Sequence, residues 1–126
     1  MTVLVDTSVL IDHLRGDTRA AEALDRATDE RERLMCAVVT RVEVLAGMRP
    51  DEEHATRRLF EAFEWIAVDA AIADAAGRLA NRFLCSHPGV DPVEFVIAAT
   101  ARRHDAALWT RNVKHFPMFE GLVAPY

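Results

Sequence analysis

Lysine is almost missing from this sequence. Lys114 is the only one among 15 basic residues, and 20 acidic residues leave a net charge of −5. A protein that grips nucleic acid by charge alone carries a basic excess, so that mode of action is excluded. An enzyme with an acidic, metal-binding centre is not, because the ion reverses the sign of the site. Cysteine is also scarce. Cys36 lies in an apolar run and Cys85 near the end of a helical pattern, with no C-x-x-C and no disulfide framework. No apolar run nears the ~20 residues of a bilayer span, and the N-terminus lacks the basic start, apolar stretch and cleavage site of a secretory signal. A soluble, cytoplasmic protein without membrane association is the expectation. Glycine forms no phosphate-cradling loop, the five histidines show no zinc spacing, and no G-x-S-x-G turn surrounds Ser8.

What is present is a set of short apolar runs separated by helical patterns. Val3–Val5, Leu34–Val39, Trp65–Val68 and Ala107–Trp109 read as buried strands, with Leu122–Val123 as a weaker fifth. The clearest helix is Ala70–Phe83, with Ile72, Ala76, Leu79, Ala80 and Phe83 at steps of three and four. Val9–Leu14 reads as a short helix stopped by Gly16, Arg19–Thr28 as a second and Glu52–Glu64 as another. Strands that alternate with helices and are apolar without interruption imply a parallel sheet covered on both faces. At 126 residues the chain is expected to form one domain, residues 1–126.

In open α/β sheets, ligands sit beyond the carboxyl ends of the strands. The first strand runs into Asp6-Thr7-Ser8. Thr40 and Glu43 follow the second, Asp69 the third, and Thr110 and Asn112 the fourth, while Asp91 and Glu94 open the helix before it. Each residue also has a structural reading. Thr40-x-x-Glu43 matches a capping box; Asp91-Pro92-Val93-Glu94 matches an N-cap, a proline at N1 and an acid at N3; Asp69 reads as an N-cap; and Asp6, Thr7 or Ser8 could cap the first helix. Asp6 fits capping least well, because a carboxylate directly after a buried strand loses hydration unless it is hydrogen-bonded or coordinated. Three acids, each at the strand-side start of a helix, could converge on one sheet edge, where a divalent cation would relieve their repulsion.

The segments VLVDTSVLID, TRVEVLAG, FVIAATA and LWTRNVKHF…GL, in this order and spacing, resemble the PIN-domain ribonucleases, and most closely the VapC toxins of bacterial toxin–antitoxin pairs. The resemblance spans Thr2 to about Val123. It implies a three-layer α/β/α sandwich with a mainly parallel sheet of four or five strands. It also implies an endoribonuclease dependent on Mg²⁺ or Mn²⁺, a VapB-like antitoxin as partner, and a homodimer. Position by position, Asp6 matches the first family acid and Glu43 the second. Glu94 stands where the family usually has aspartate, and Thr110 and Asn112 match a T-x-N element. His115 stands where many relatives carry a further aspartate.

The roles that follow are expectations. Asp6 and Glu94 hold the metal, with Asp91 as the alternative ligand. Glu43 orients or deprotonates the attacking water, and Asn112 positions water, a ligand or phosphate. The hydroxyls of Thr7, Ser8 and Thr110 fix the carboxylates. Arg102, Arg103, Arg111 and Lys114 are candidates for RNA phosphates. Two other functions compete. One is a PIN-like interaction module with a decayed site. The other is a haloacid dehalogenase-type phosphatase, which needs an acid where Ser8 stands. A receiver domain would need a lysine at its expected late position, and none stands there.

Overall fold

The structure is a computed structural model describing residues 1–126. Four strands, β1 (Thr2–Val5), β2 (Arg33–Ala37), β3 (Glu64–Ile66) and β4 (Ala107–Trp109), form one sheet in the order β3-β2-β1-β4, with every pair parallel. Around it lie α1 (Thr7–Leu14), α2 (Thr18–Asp29), α3 (Val39–Ala46), α4 (Glu53–Phe60), α5 (Ala70–Phe83) and α6 (Pro92–Arg103).

The strands are apolar without interruption because both faces are covered. Leu4, Met35, Ala37 and Leu108 point into a core completed by Ile72, Ala76 and Leu79 of α5 and by Phe95, Ile97 and Ala98 of α6. Val3, Val5, Leu34 and Cys36 point to the other side, against Val9, Leu10, Leu24, Leu59 and Phe60 of α1, α2 and α4. Val3, Leu4 and Val5 are completely buried, each contributing about 1.5–3 kcal/mol by leaving water. The outcome is the α/β/α sandwich expected from the sequence.

Several boundaries differ from the sequence reading, for physical reasons. The expected fifth strand at Leu122–Val123 does not form. Gly121 turns the backbone through φ +71°, and the tail passes from one layer to the other, Leu122 packing on the first core and Tyr126 on the second. The helix expected over Glu52–Glu64 is a 3₁₀ turn at Pro50–Glu52 followed by α4, which ends at Phe60. The indole N–H of Trp65 donates to the Phe60 carbonyl at 2.8 Å and takes up a last-turn acceptor, and Glu64 passes into β3. β2 stops at Ala37, short of Val39, which opens α3, and β3 stops at Ile66, short of Val68. Gly16, with φ +84° just past the end of α1, is the expected stop.

The topology fixes where a site can lie. β1 is central, and the chain first builds outward through β2 and β3, then returns to add β4 on the opposite side of β1. The order therefore switches at β1, and the crevice opens beyond the carboxyl ends of β1 and β4. The Asp6 amide donates to the Trp109 carbonyl at 2.8 Å, which extends the β1–β4 ladder by one residue into that crevice.

Candidate functional site

Asp6 follows β1 and is 3% exposed. It occupies the N-cap position of α1, but its carboxylate caps no amide. Instead Oδ2 accepts from the Ser8 hydroxyl at 2.8 Å and from the Thr110 hydroxyl at 2.7 Å. These hydroxyls are themselves held. Ser8 Oγ accepts from the Arg111 amide at 3.0 Å and Thr110 Oγ1 from the Asn112 amide at 2.9 Å. The start of α1 and the end of β4 are thus sewn together through one buried carboxylate, with both hydroxyl donors on Oδ2.

Glu43 lies on α3. The Thr7 hydroxyl donates to Glu43 Oε1 at 2.6 Å and lies 3.0 Å from the hydroxyl of Thr40, which is fully buried. The capping-box reading of Thr40 and Glu43 does not hold. α3 begins at Val39 with Val38 as its N-cap, so Thr40 sits inside the first turn, turned toward Thr7. Burial pushes the Glu43 pKa above the ordinary glutamate value. The Thr7 hydrogen bond opposes this, and the negative charges of Asp6, Asp91 and Glu94 add to it.

Asp91 is the N-cap and Glu94 the N3 acid read from the sequence, and in the structure the two close a capping box. Asp91 Oδ1 accepts from the Val93 amide at 2.8 Å, and Glu94 Oε1 accepts from the Asp91 amide at 3.0 Å. The other Glu94 oxygen, Oε2, lies 2.6 Å from His115 Nδ1. The two departures from the family pattern therefore touch each other: the longer acid at 94 reaches the imidazole at 115.

All of these side chains except Thr40 and Thr110 line one groove of about 570 Å³: Asp6, Thr7, Ser8, Glu43, Asp91, Glu94, Asn112 and His115, together with Asp12 and Arg111. The structure thus brings the sequence-predicted acids, Asn112 and Arg111 together, with the Thr110 hydroxyl bound behind Asp6. Arg102, Arg103 and Lys114 do not line this groove. Arg102 donates to the Met118 carbonyl and stacks on Phe119. Together with Arg103, Arg78 and Arg82 it borders a separate depression between α5 and α6. Asp12 was not singled out in the sequence, although it lies four residues after Ser8 and so shares its helix face.

The donor set is all oxygen apart from His115, and the mutual repulsion felt by Glu43 is what a hard divalent cation relieves. In this arrangement no three carboxylate, imidazole or thiol side chains stand close enough to enclose one ion. The residues fit a cation that keeps much of its own water, rather than a closed protein cage.

Comparisons with known proteins agree with this architecture. The PIN-domain family model matches residues 3–117. The chain is 45% identical over 123 residues to Ribonuclease VapC19 of Mycobacterium tuberculosis, covering 98% of both proteins. It is 40% identical over 124 residues to Ribonuclease VapC10 of Mycobacterium tuberculosis, covering 98% of this chain and 92% of that protein. Among solved structures it superposes on a toxin–antitoxin complex from Klebsiella pneumoniae with a TM-score of 0.82, at 30% identity and 98% coverage of both chains.

Proposed function

The chain belongs to the PIN-domain family and, within it, to the VapC ribonucleases, and from that premise we propose that it is a metal-dependent endoribonuclease, the toxin of a toxin–antitoxin pair. The carrying observation is the convergence of Asp6, Glu43, Asp91 and Glu94 on one groove at the switch point of the sheet. Mg²⁺, or Mn²⁺ in its place, suits these oxygen donors. Asp6 and Glu94 would hold it, with Asp91 as the substitute for Glu94. When bound, such an ion lowers the pKa of a coordinated water and polarises a phosphoryl oxygen.

The protein's own groups supply the rest. Asp6 is fixed by Ser8 and Thr110 through Oδ2, which leaves Oδ1 uncommitted. Glu43, anchored by Thr7 at Oε1, keeps Oε2 to take a proton from the attacking water, and its raised pKa makes it a stronger base than an ordinary carboxylate. Water adds to phosphorus as the bond from phosphorus to the leaving sugar oxygen breaks, that oxygen takes its proton from solvent, and Asn112 orients the water or the phosphate through its side-chain amide. The partner is a VapB-like antitoxin, for which an acidic groove favours a basic inserting side chain. A single cytoplasmic PIN domain that pairs as a homodimer belongs to the same proposal.

The test is cleavage of RNA by the purified chain, freed of partner, with Mg²⁺ or Mn²⁺ and with chelator, beside Asp6→Asn and Glu94→Gln. Cleavage that needs the cation and is lost in Asp6→Asn supports the reading. Cation binding without cleavage of any RNA overturns it in favour of a decayed interaction module.

A further inference from the structure

Arg111 is the only lysine or arginine lining a groove that carries Asp6, Asp12, Glu43, Asp91 and Glu94. A polyanionic strand entering among five acids needs a cation, and Arg111 is the one that the groove offers. Its backbone amide is pinned to Ser8 Oγ at 3.0 Å, so its Cα is tied to the shell of Asp6. Its guanidinium lies over the ring of Tyr126, 4.9 Å from the centroid. Its Nη1 makes no hydrogen bond and forms only a long ion pair with Asp12 Oδ2 at 3.8 Å, which leaves its donors unsatisfied. The Asp12 carboxylate is engaged elsewhere: the Tyr126 hydroxyl donates to that same Oδ2 at 2.7 Å. The carboxylate thus fixes the aromatic ring, and the ring fixes the arginine. Arg19 approaches the ring as well, at 5.7 Å, but its guanidinium is paired with both oxygens of Asp17.

We propose that Tyr126 and Asp12 form a positioning clamp that holds the Arg111 guanidinium at the acidic groove as the anchor for a phosphate of the RNA strand. A stacked guanidinium keeps its planar fork of donors, and its rotamers are ordered before the ligand arrives, so less entropy is lost when it binds phosphate. Tyr126 and Asp12 touch no reacting atom; they act through Arg111. The inference rests on the ribonuclease reading and adds to it two residues, 114 positions apart in the chain, that set substrate affinity.

The experiment compares the full wild-type chain with Arg111→Ala, Tyr126→Leu, Tyr126→Phe and the Arg111→Ala/Tyr126→Leu double variant. It measures cleavage kinetics, and the salt dependence of binding to an uncleavable 2′-O-methyl oligoribonucleotide. Tyr126→Leu is expected to raise KM about tenfold with a much smaller change in kcat, as loss of a partly desolvated cation–π contact implies. Tyr126→Phe keeps the ring but loses the hydroxyl that Asp12 holds, so it should recover only part of this. Arg111→Ala should lower the salt slope by about 0.7, one phosphate contact on a single strand. The double variant should be no worse than Arg111→Ala alone, because Arg19, the ring's other cationic neighbour, is already held by Asp17. A Tyr126→Leu protein with wild-type KM and salt slope, or effects that simply add, overturns the clamp and leaves the nuclease standing. A wild-type chain that neither cleaves nor binds RNA overturns both.

Discussion

Asp6 and Glu94 line the same groove under opposite conditions. Asp6 follows a fully buried strand, is itself 3% exposed, and receives two hydroxyl donors on one oxygen. Glu94 stands in the first turn of α6, with one oxygen on the Asp91 amide and the other on His115, a residue whose side chain is 47% exposed. The Asp6 side is rigid: its carboxylate position is decided by the sheet and by Ser8, Thr110, Arg111 and Asn112 together. The Glu94 side is held by a helix cap and by a surface imidazole, both of which can yield. A cation arriving here meets one fixed ligand and one that must exchange a partner. This also explains why acids that share a groove do not yet enclose a common point.

The largest effect expected from this contrast is at Asp6. Asp6→Asn keeps the size of the side chain but removes its charge, and should lower cleavage by at least about 100-fold, on the scale of losing a preorganised charged group; circular dichroism should show an intact fold. Glu43→Gln should be nearly as damaging to cleavage, while raising the thermal midpoint of the metal-free protein by a few degrees, since it removes a carboxylate repelled by its neighbours.

The same glutamate sets a pH dependence. Its folded pKa is raised, so between the ordinary glutamate value and the raised one the native state binds more protons than the unfolded state. Metal-free stability therefore falls as pH rises through that window. The acid limb of kcat/KM should also stand at higher pH than an ordinary carboxylate would give. Thermal melts and rate profiles from pH 4 to 8 read both effects.

At Glu94 the effects should be smaller and coupled. Glu94→Asp and His115→Asp each break the 2.6 Å contact, and each should cost about tenfold in activity. The double variant, which places aspartate at both positions, should recover part of the loss, giving a coupling energy of about 1 kcal/mol in a double-mutant cycle. Full additivity would mean the two positions work separately. The smallest change is expected for Ser8→Ala, which removes one of two donors to Asp6 Oδ2. It should destabilise by about 1 kcal/mol and reduce cleavage less than Asp6→Asn.

The same contrast decides what could be read in the sequence. Val3-Leu4-Val5 followed by Asp6 was legible because burial on both faces removes strand alternation, and a carboxylate at such an end needs a reason. The Asp91–Glu94 cap was legible because capping is local, decided within four residues. Glu43 was harder, since the same local rule suggested a capping box that the structure does not form. Its real partner, Thr7, lies 36 residues away on another helix. Leu122–Val123 has strand-like residues, but β4 closes the sheet and the tail crosses to the other layer. Tyr126 carried no signal at all, because its role exists only through Asp12 and Arg111 once the chain is folded.

The most direct measurement of the central claim is an anomalous difference map from a crystal of the metal-free chain soaked in Mn²⁺. A single strong peak should stand in the groove within coordination distance of an Asp6 carboxylate oxygen, absent from an Asp6→Asn crystal treated identically. A groove with no peak at saturating Mn²⁺, or a peak that survives loss of the Asp6 charge, would contradict that claim.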